Sequence, residues 1–257
     1  MKCRLYLIRQ SSSKTATISR IVNQAIKEFG MRNRFRSNLL HSFAALLVVT
    51  APVFTQAANA QAAAPSAPAA APAADAGPTI GKAAPAFSLK DCDGKTRKLS
   101  DFKGKIVVLE WFNHGCPFVK KHYDSNNMQD LQKTYTGKGV VWLSICSSAE
   151  GKQGFGTPEE HKKAFKDRGA APTAVLIDSE GTVGHAYGAK TTPAMYVIDG
   201  KGTLVYSGAI DDNRTPDKEA AKTAKNFVAA ALNETLAKKA VAISSTKSYG
   251  CSIKYKQ

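Results

Sequence analysis

The stretch IVVLEWFNHGCPFVKK, residues 106–121, decides the fold. Its first half, Ile106 to Phe112, is a nearly continuous apolar run, which is the pattern of a strand buried on both faces of a sheet. Asn113, His114 and Gly115 then break the run. Pro117 suits the first position of a helix, because its missing N–H is one that a helix start leaves unbonded and its φ is already helical. Cys116 therefore stands where a buried strand gives way to a helix. There the unpaired N–H groups and the helix dipole favour a thiolate over a thiol. His114, Lys120, Lys121 and His122 stand close by in sequence and are expected to add positive potential.

Working outward, the same logic divides the rest of the chain. Phe87 to Leu89 and Thr96 to Leu99 flank Asp91-Cys92-Asp93-Gly94-Lys95, whose Asp-Gly pair marks a tight hairpin. The helix opened by Pro117 is expected to run to about Tyr135, and Val140 to Cys146 is the next buried strand. Ser147 to Gly156 is a glycine-rich loop. Thr157-Pro158-Glu159-Glu160 is a capping box that starts a helix to about Arg168. A short strand at Ala174–Asp178 and a brief helix at Thr182–Tyr187 follow. Ala194–Ile198 and Thr203–Ser207, joined by Asp199-Gly200-Lys201-Gly202, form a second hairpin, and Asp217 to about Lys239 reads as one long helix. Strands alternating with helices make an α/β layer structure, and the last hairpin makes its central sheet mixed.

Before the folded part, the sequence changes character twice. Arg32, Arg34 and Arg36 precede an apolar run from Leu39 to Phe54, and Ala58-Asn59-Ala60 follows. A basic segment, a short apolar core and an A-x-A site describe a secretory signal peptide, with cleavage expected after Ala60. The run is shorter than the roughly 20 apolar residues of a membrane span. No stable membrane association is expected once it is removed, whereas an uncleaved segment would act as an anchor. Met31, just before the basic cluster, is the expected start of translation. Residues 61–79 are almost wholly Ala, Pro, Ser and Gly, a composition with too little apolar bulk to order itself, so they read as a linker. Residues 80–257 are left as the single folded domain, exported to the periplasm or beyond.

Charge excludes little but informs. The chain has 36 Lys and Arg against 20 Asp and Glu, of which nine and one fall in residues 1–60. Half of the +16 net charge thus belongs to the segment expected to be removed. The remaining basic residues are scattered, without a stripe interleaved with aromatics, so nucleic-acid binding is not expected. After cleavage four cysteines remain, Cys92, Cys116, Cys146 and Cys251; their spacings match no zinc pattern, and no cofactor or resident metal is expected.

At this point the chain resembles a known family. Phe87-Ser88-Leu89, Asp93-Gly94-Lys95, Leu99 to Lys105, IVVLEWF and Cys116-Pro117, with Thr192-Pro193 before a strand, are similar to the redoxins. These are the alkyl hydroperoxide reductase / thiol-specific antioxidant group of the thioredoxin-like superfamily. The resemblance covers about Ala84 to Leu236 and implies a thioredoxin-like fold and a thiol-dependent oxidoreductase whose nucleophile is Cys116. It implies that Pro193 is the cis-proline beside the reactive sulfur, with Thr192 before it. Glu110, six residues ahead of Cys116, matches the buried acid that moves protons for thioredoxin's second thiol. A carboxyl in an apolar strand should also have a raised pKa.

The departures narrow the chemistry. Val119 stands where thioredoxins carry their second cysteine, so no dithiol switch fits within this turn. The positions that carry Pro and Thr in peroxiredoxins are Leu109 and Asn113 here. A peroxide would then have to be bound by Asn113 or Thr192. A resolving thiol must come from elsewhere: Cys251, on a polar tail after the last helix, is first in order. Cys146, at a strand end, is second, and Cys92, exposed in a hairpin turn, is third. The expected substrate is a peroxide or a disulfide, and the expected electron donor is a thiol, either a thioredoxin-like protein or glutathione. Two other readings stand beside this one. One is a copper-binding module using His114, Cys116 and His122; the other is a non-catalytic protein holding an extended peptide beside Thr192-Pro193.

Overall fold

The computed structural model describes residues 77–257. The expectations for the signal peptide, the start at Met31 and most of the linker fall outside them. The chain begins with a hairpin of β1 (Ser88–Asp91) and β2 (Thr96–Lys98), then a 3-10 turn at Leu99–Phe102 and β3 (Val107–Trp111). After α1 (Pro117–Asp124) and α2 (Asn127–Thr136) come β4 (Val141–Cys146), α3 (Pro158–Asp167), β5 (Ala174–Ile177) and α4 (Thr182–Ala186). The last part holds β6 (Thr191–Thr192), β7 (Ala194–Ile198), β8 (Leu204–Gly208), a 3-10 turn at Glu219–Lys222, α5 (Phe227–Leu236) and β9 (Cys251–Ser252). Seven strands make one mixed sheet in the order β2-β1-β5-β4-β3-β7-β8, and β6 pairs with β9 in a separate two-stranded sheet.

The apolar run that decided the fold lies at the centre. β3 is parallel to β4 and antiparallel to β7, so both its edges and both its faces are covered. Alternation sends Val107, Leu109 and Trp111 into one core layer and Val108 and Phe112 into the other. Each such side chain contributes roughly 1.5–3 kcal/mol by leaving water. Among the described residues no helix is long and apolar enough to cross a membrane.

Two helices differ from expectation. The one expected from Pro117 to Tyr135 is broken at Ser125-Asn126, where Asn126 takes a left-handed φ of 63°. Ser125 Oγ donates to the His122 carbonyl (3.3 Å), so the side chain competes with the helix for its own backbone. The long helix expected over 217–239 is only α5, preceded by the 3-10 turn. Its start is set by Asn226, whose side chain accepts from Ala229 N (2.8 Å), while Lys225 N donates to Asp212 (2.9 Å). The capping box of α3 is formed as read: Glu160 N donates to Thr157 Oγ1 (3.3 Å) and Thr157 N to Glu160 Oε2 (2.8 Å).

Candidate active site

The turn that carries Cys116 is built by Asn113. Its carbonyl accepts from Cys116 N (3.0 Å) and its side-chain oxygen from Gly115 N (2.8 Å). Its amide nitrogen donates to Gln153 O (3.1 Å), tying the turn to the Ser147–Gly156 loop. Gly154, at a φ of +91°, lies so close that a Cβ there would overlap the Asn113 amide. Asn113 thus braces the turn, and none of its hydrogen bonds goes to the Cys116 sulfur. Cys116 caps α1, with Pro117 in the first turn as read from the sequence.

Cys116 is fully buried and its Sγ lies 3.2 Å from the carbonyl of Thr192, to which the thiol donates. The Thr192–Pro193 bond is cis. Across from Thr192, in register with it, lies Cys251 on β9. Gly250 makes this approach possible: its φ is +127°, and a Cβ there would run into the Thr192 carbonyl. Burial pushes the Cys116 thiol up. The nearby Cys251 thiol, then Thr192 and the backbone N–H groups of Val119 and Cys251, favour the anion, outweigh burial and bring the pKa below the ordinary value. Cys251 moves the other way, to about 11, through burial and then through its hydrogen bond to Cys116 and the charge there. Cys116 is thus the more acidic thiol of the two.

The tail that brings Cys251 here is not a free polar end. Tyr249 is buried, and its hydroxyl donates to Asp211 and lies 3.3 Å from Lys121 Nζ, which donates to it. Lys121 is buried against Asp211, with Nζ 3.1 Å from Oδ2, and donates to the Asn213 carbonyl (2.6 Å). His122 Nδ1 faces the amide nitrogen of Asn127 (2.8 Å) and so accepts, leaving Nε2–H to donate to Tyr249 (3.2 Å). Burial, then the charge of Lys121, lowers the His122 pKa to about 3. The positive potential expected from Lys121 and His122 is therefore absent at Cys116: one charge is paired with Asp211, and the other never forms at neutral pH. Downstream, Ile253 N donates to the Lys190 carbonyl (3.1 Å) and Tyr255 to that of Ala189 (2.6 Å).

Glu110 is fully buried on the same sheet face as Phe112, in the company of Trp142, Tyr123, Gln132 and Ser144. Tyr123 donates to Oε1 (2.7 Å); Trp142 Nε1 (2.8 Å), Ser144 (2.8 Å) and Gln132 (3.2 Å) donate to Oε2. Burial raises its pKa despite these donors. All of its hydrogen bonds go to this pocket and none to either thiol, so it fastens β3 to β4, α1 and α2.

The remaining cysteines bond to other carbonyls and strands. Cys146 is buried, donates to the Gly154 carbonyl (3.2 Å), and has its pKa raised by burial. Cys92 is buried rather than exposed. Pairing of β1 with β5 lays the hairpin turn on the sheet, and Cys92 N donates to the Val175 carbonyl (2.9 Å). Its thiol rises to about 11, through burial and then the charges of Asp91 and Asp93. His114 is engaged by Arg168 (3.2 Å) and packs against Phe112 and Phe165. Among the described residues no group of three or more His, Cys, Asp or Glu converges to hold a metal ion. His114, Cys116 and His122 thus make no copper site here.

A mixed sheet, a cysteine on the first turn after its central strand and a cis-proline beside that sulfur define the class: a thiol-based oxidoreductase of thioredoxin-like fold. The AhpC/TSA family model matches residues 80–207, and the chain belongs to that family. It is 32% identical over 124 residues to a thioredoxin-like protein of Bacillus subtilis, covering 48% of this chain and 68% of that one. Against the thiol-disulfide oxidoreductase ResA of Geobacillus thermodenitrificans the identity is 28% over 125 residues, 49% of this chain and 66% of that one. The chain thus spans about two thirds of these relatives' length. An uncharacterized conserved protein from Geobacillus kaustophilus superposes with a TM-score of 0.60 at 32% identity, covering 69% and 93% of the two chains. A hypothetical protein from Sinorhizobium meliloti 1021 gives the same TM-score at 27% identity, covering 70% and 97%.

Sequence reasoning missed the Lys121–Asp211–Tyr249 anchor and the place of Gly250. The signal for both was an aromatic followed by glycine, directly before a cysteine, in a tail otherwise polar.

Proposed function

We propose that this chain is an exported thiol–disulfide oxidoreductase in which Cys116 attacks and Cys251 resolves. The observation that carries this reading is the pairing of Cys251 with Thr192, the residue whose carbonyl lies 3.2 Å from the Cys116 sulfur. The Cys116 thiolate attacks one sulfur of a substrate disulfide; a Cys116–substrate bond forms, the substrate S–S bond breaks, and the leaving thiolate takes a proton. Burial raises the Cys251 pKa most and the Cys116 charge next; with Cys116 no longer an anion that second cause is gone, and the Cys251 pKa falls from about 11. Cys251 then attacks the Cys116 sulfur, forming the internal disulfide and releasing the second substrate thiol. The substrate gains two electrons and the protein loses them; an external thiol, a thioredoxin-like protein or glutathione, restores the pair.

A disulfide is favoured over a peroxide because Asn113, one of the two residues expected to bind a peroxide, is engaged by Gln153 and Gly115, and because the Geobacillus thermodenitrificans relative is a thiol-disulfide oxidoreductase. Export rests on the signal-like residues 31–60, and cell fractionation should find the chain outside the cytoplasm with Gln61 as its first residue. To test the chemistry, the reduced protein would be mixed with one equivalent of a peptide disulfide, quenched in acid, alkylated and mapped. A Cys116–Cys251 bond and one equivalent of reduced peptide are expected. Cys116 remaining reduced while the peptide stays oxidised would end this proposal.

A further inference from the structure

A sulfur attacks a disulfide only by touching it, in line with the bond that breaks, yet Cys116 has no exposed surface. Part of the cover is the chain's own C-terminal segment. Gly250, Cys251 and Ser252 lie along β6, with Thr192 opposite Cys251 and Thr191 opposite Ser252. These residues form a strap tied down at both ends. On one side Tyr249 is held by Asp211, Lys121 and His122. On the other, Ile253 and Tyr255 bond to the carbonyls of Lys190 and Ala189, and the Lys254 carbonyl accepts from Ala149 N (2.8 Å). Between the ties only two residues pair with β6, and Gly250 sits at positive φ against the Thr192 carbonyl.

The strap also resembles what it excludes. It is an extended segment that presents a cysteine to the Cys116 sulfur across the edge of Thr191–Thr192. It lies wholly beyond residue 207, where the family match ends. We infer that residues 250–252 are an internal competitor: an extended peptide segment bearing a disulfide takes their place on β6, and Cys116 reacts only while the strap is lifted. This rests on the thiol–disulfide reading above. Once the substrate sulfur is bound to Cys116, return of the strap brings Cys251 back onto that sulfur, so the element that blocks the first step delivers the second.

The test uses the full chain with Cys251→Ser, so that no internal disulfide forms. Rates of Cys116 modification by iodoacetamide and by an unstructured peptide disulfide are measured by rapid quench and peptide mapping. Gly250→Ala is then added, and in a separate protein Tyr249→Phe, which keeps the ring but loses the anchoring hydroxyl. Both are expected to raise both rates. The gain from Gly250→Ala should be about tenfold, the factor set by the strain of an L-residue at positive φ. Equal rates with and without these substitutions, with the mixed disulfide still forming, overturn the strap and leave the oxidoreductase reading intact. Faster alkylation with no mixed disulfide in any variant overturns the oxidoreductase reading and the competitor role with it. Tyr249→Phe keeps the experiment decisive if Gly250→Ala does not fold.

Discussion

Burial prevails at three thiols of this small domain, Cys92, Cys146 and Cys251, and gives way at the fourth, Cys116. Cys92 and Cys146 belong to the same buried cluster, and burial raises both pKa values. Cys116 is at least as buried, yet its pKa is lowered, because Cys251, Thr192 and two backbone N–H groups nearby favour its anion. Burial by itself makes a cysteine a small apolar residue. Polar groups placed around the sulfur make the same group more acidic, and apart from the Val119 N–H they come from a strand and a tail more than seventy residues away in sequence.

The sharpest way to break the comparison is to remove the thiols one at a time. Cys116→Ser should abolish reduction of a peptide disulfide, read as loss of released peptide thiol, whereas Cys92→Ala should leave that rate unchanged. Next in size is Cys251→Ala. It should still attack once but halt at the mixed disulfide, visible by intact-mass spectrometry. With its first donor gone, the pH midpoint for Cys116 alkylation should also move up toward the ordinary thiol value.

Glu110 sharpens the comparison from the other side, since there burial prevails over four donors. Glu110→Ala should cost about 3 kcal/mol in denaturant unfolding, because Trp142, Ser144 and Gln132 lose their acceptor in a dry pocket. The sign with pH follows from a folded-state pKa above the unfolded one. The protonated carboxyl's contribution is complete below the unfolded value and is lost as pH rises through the folded one. Glu110→Gln should fold and flatten that part of the stability profile; an unchanged profile would show that Glu110 does not titrate there. The smallest effect belongs to Cys146→Ala, about 1 kcal/mol of stability, the usual size for trimming a core side chain. Exchange kinetics should be unaltered, and Cys146 should resist alkylation in the native protein.

Much of this was legible beforehand. The apolar run 106–112 could only be a strand covered on both faces, and Cys116-Pro117 placed a thiol at a helix start. Helix lengths were less so. Ser125-Asn126 and Asn226 carry side chains that bond the nearby backbone, and composition alone did not show that these local bonds would end the helices. Cys92 was misplaced because the hairpin turn looks exposed by itself, and only pairing of β1 with β5 presses it onto the core. Lys121 and His122 were read as sources of positive potential. Their partners, Asp211 and Tyr249, are 90 and 127 residues away and cancel or forestall that charge.

The sequence by itself determined the alternation of strands and helices, the central position of β3, and the place of Cys116 at a helix start. Each depends on patterns within a few residues: apolar period, capping chemistry and a proline after a cysteine. Only the tertiary structure decided what surrounds that sulfur. The partners of Cys116, the neutrality of His122, the burial of Cys92 and the strap across β6 all depend on contacts between segments far apart in the chain. Such contacts are set by how whole elements pack, and no local pattern encodes them.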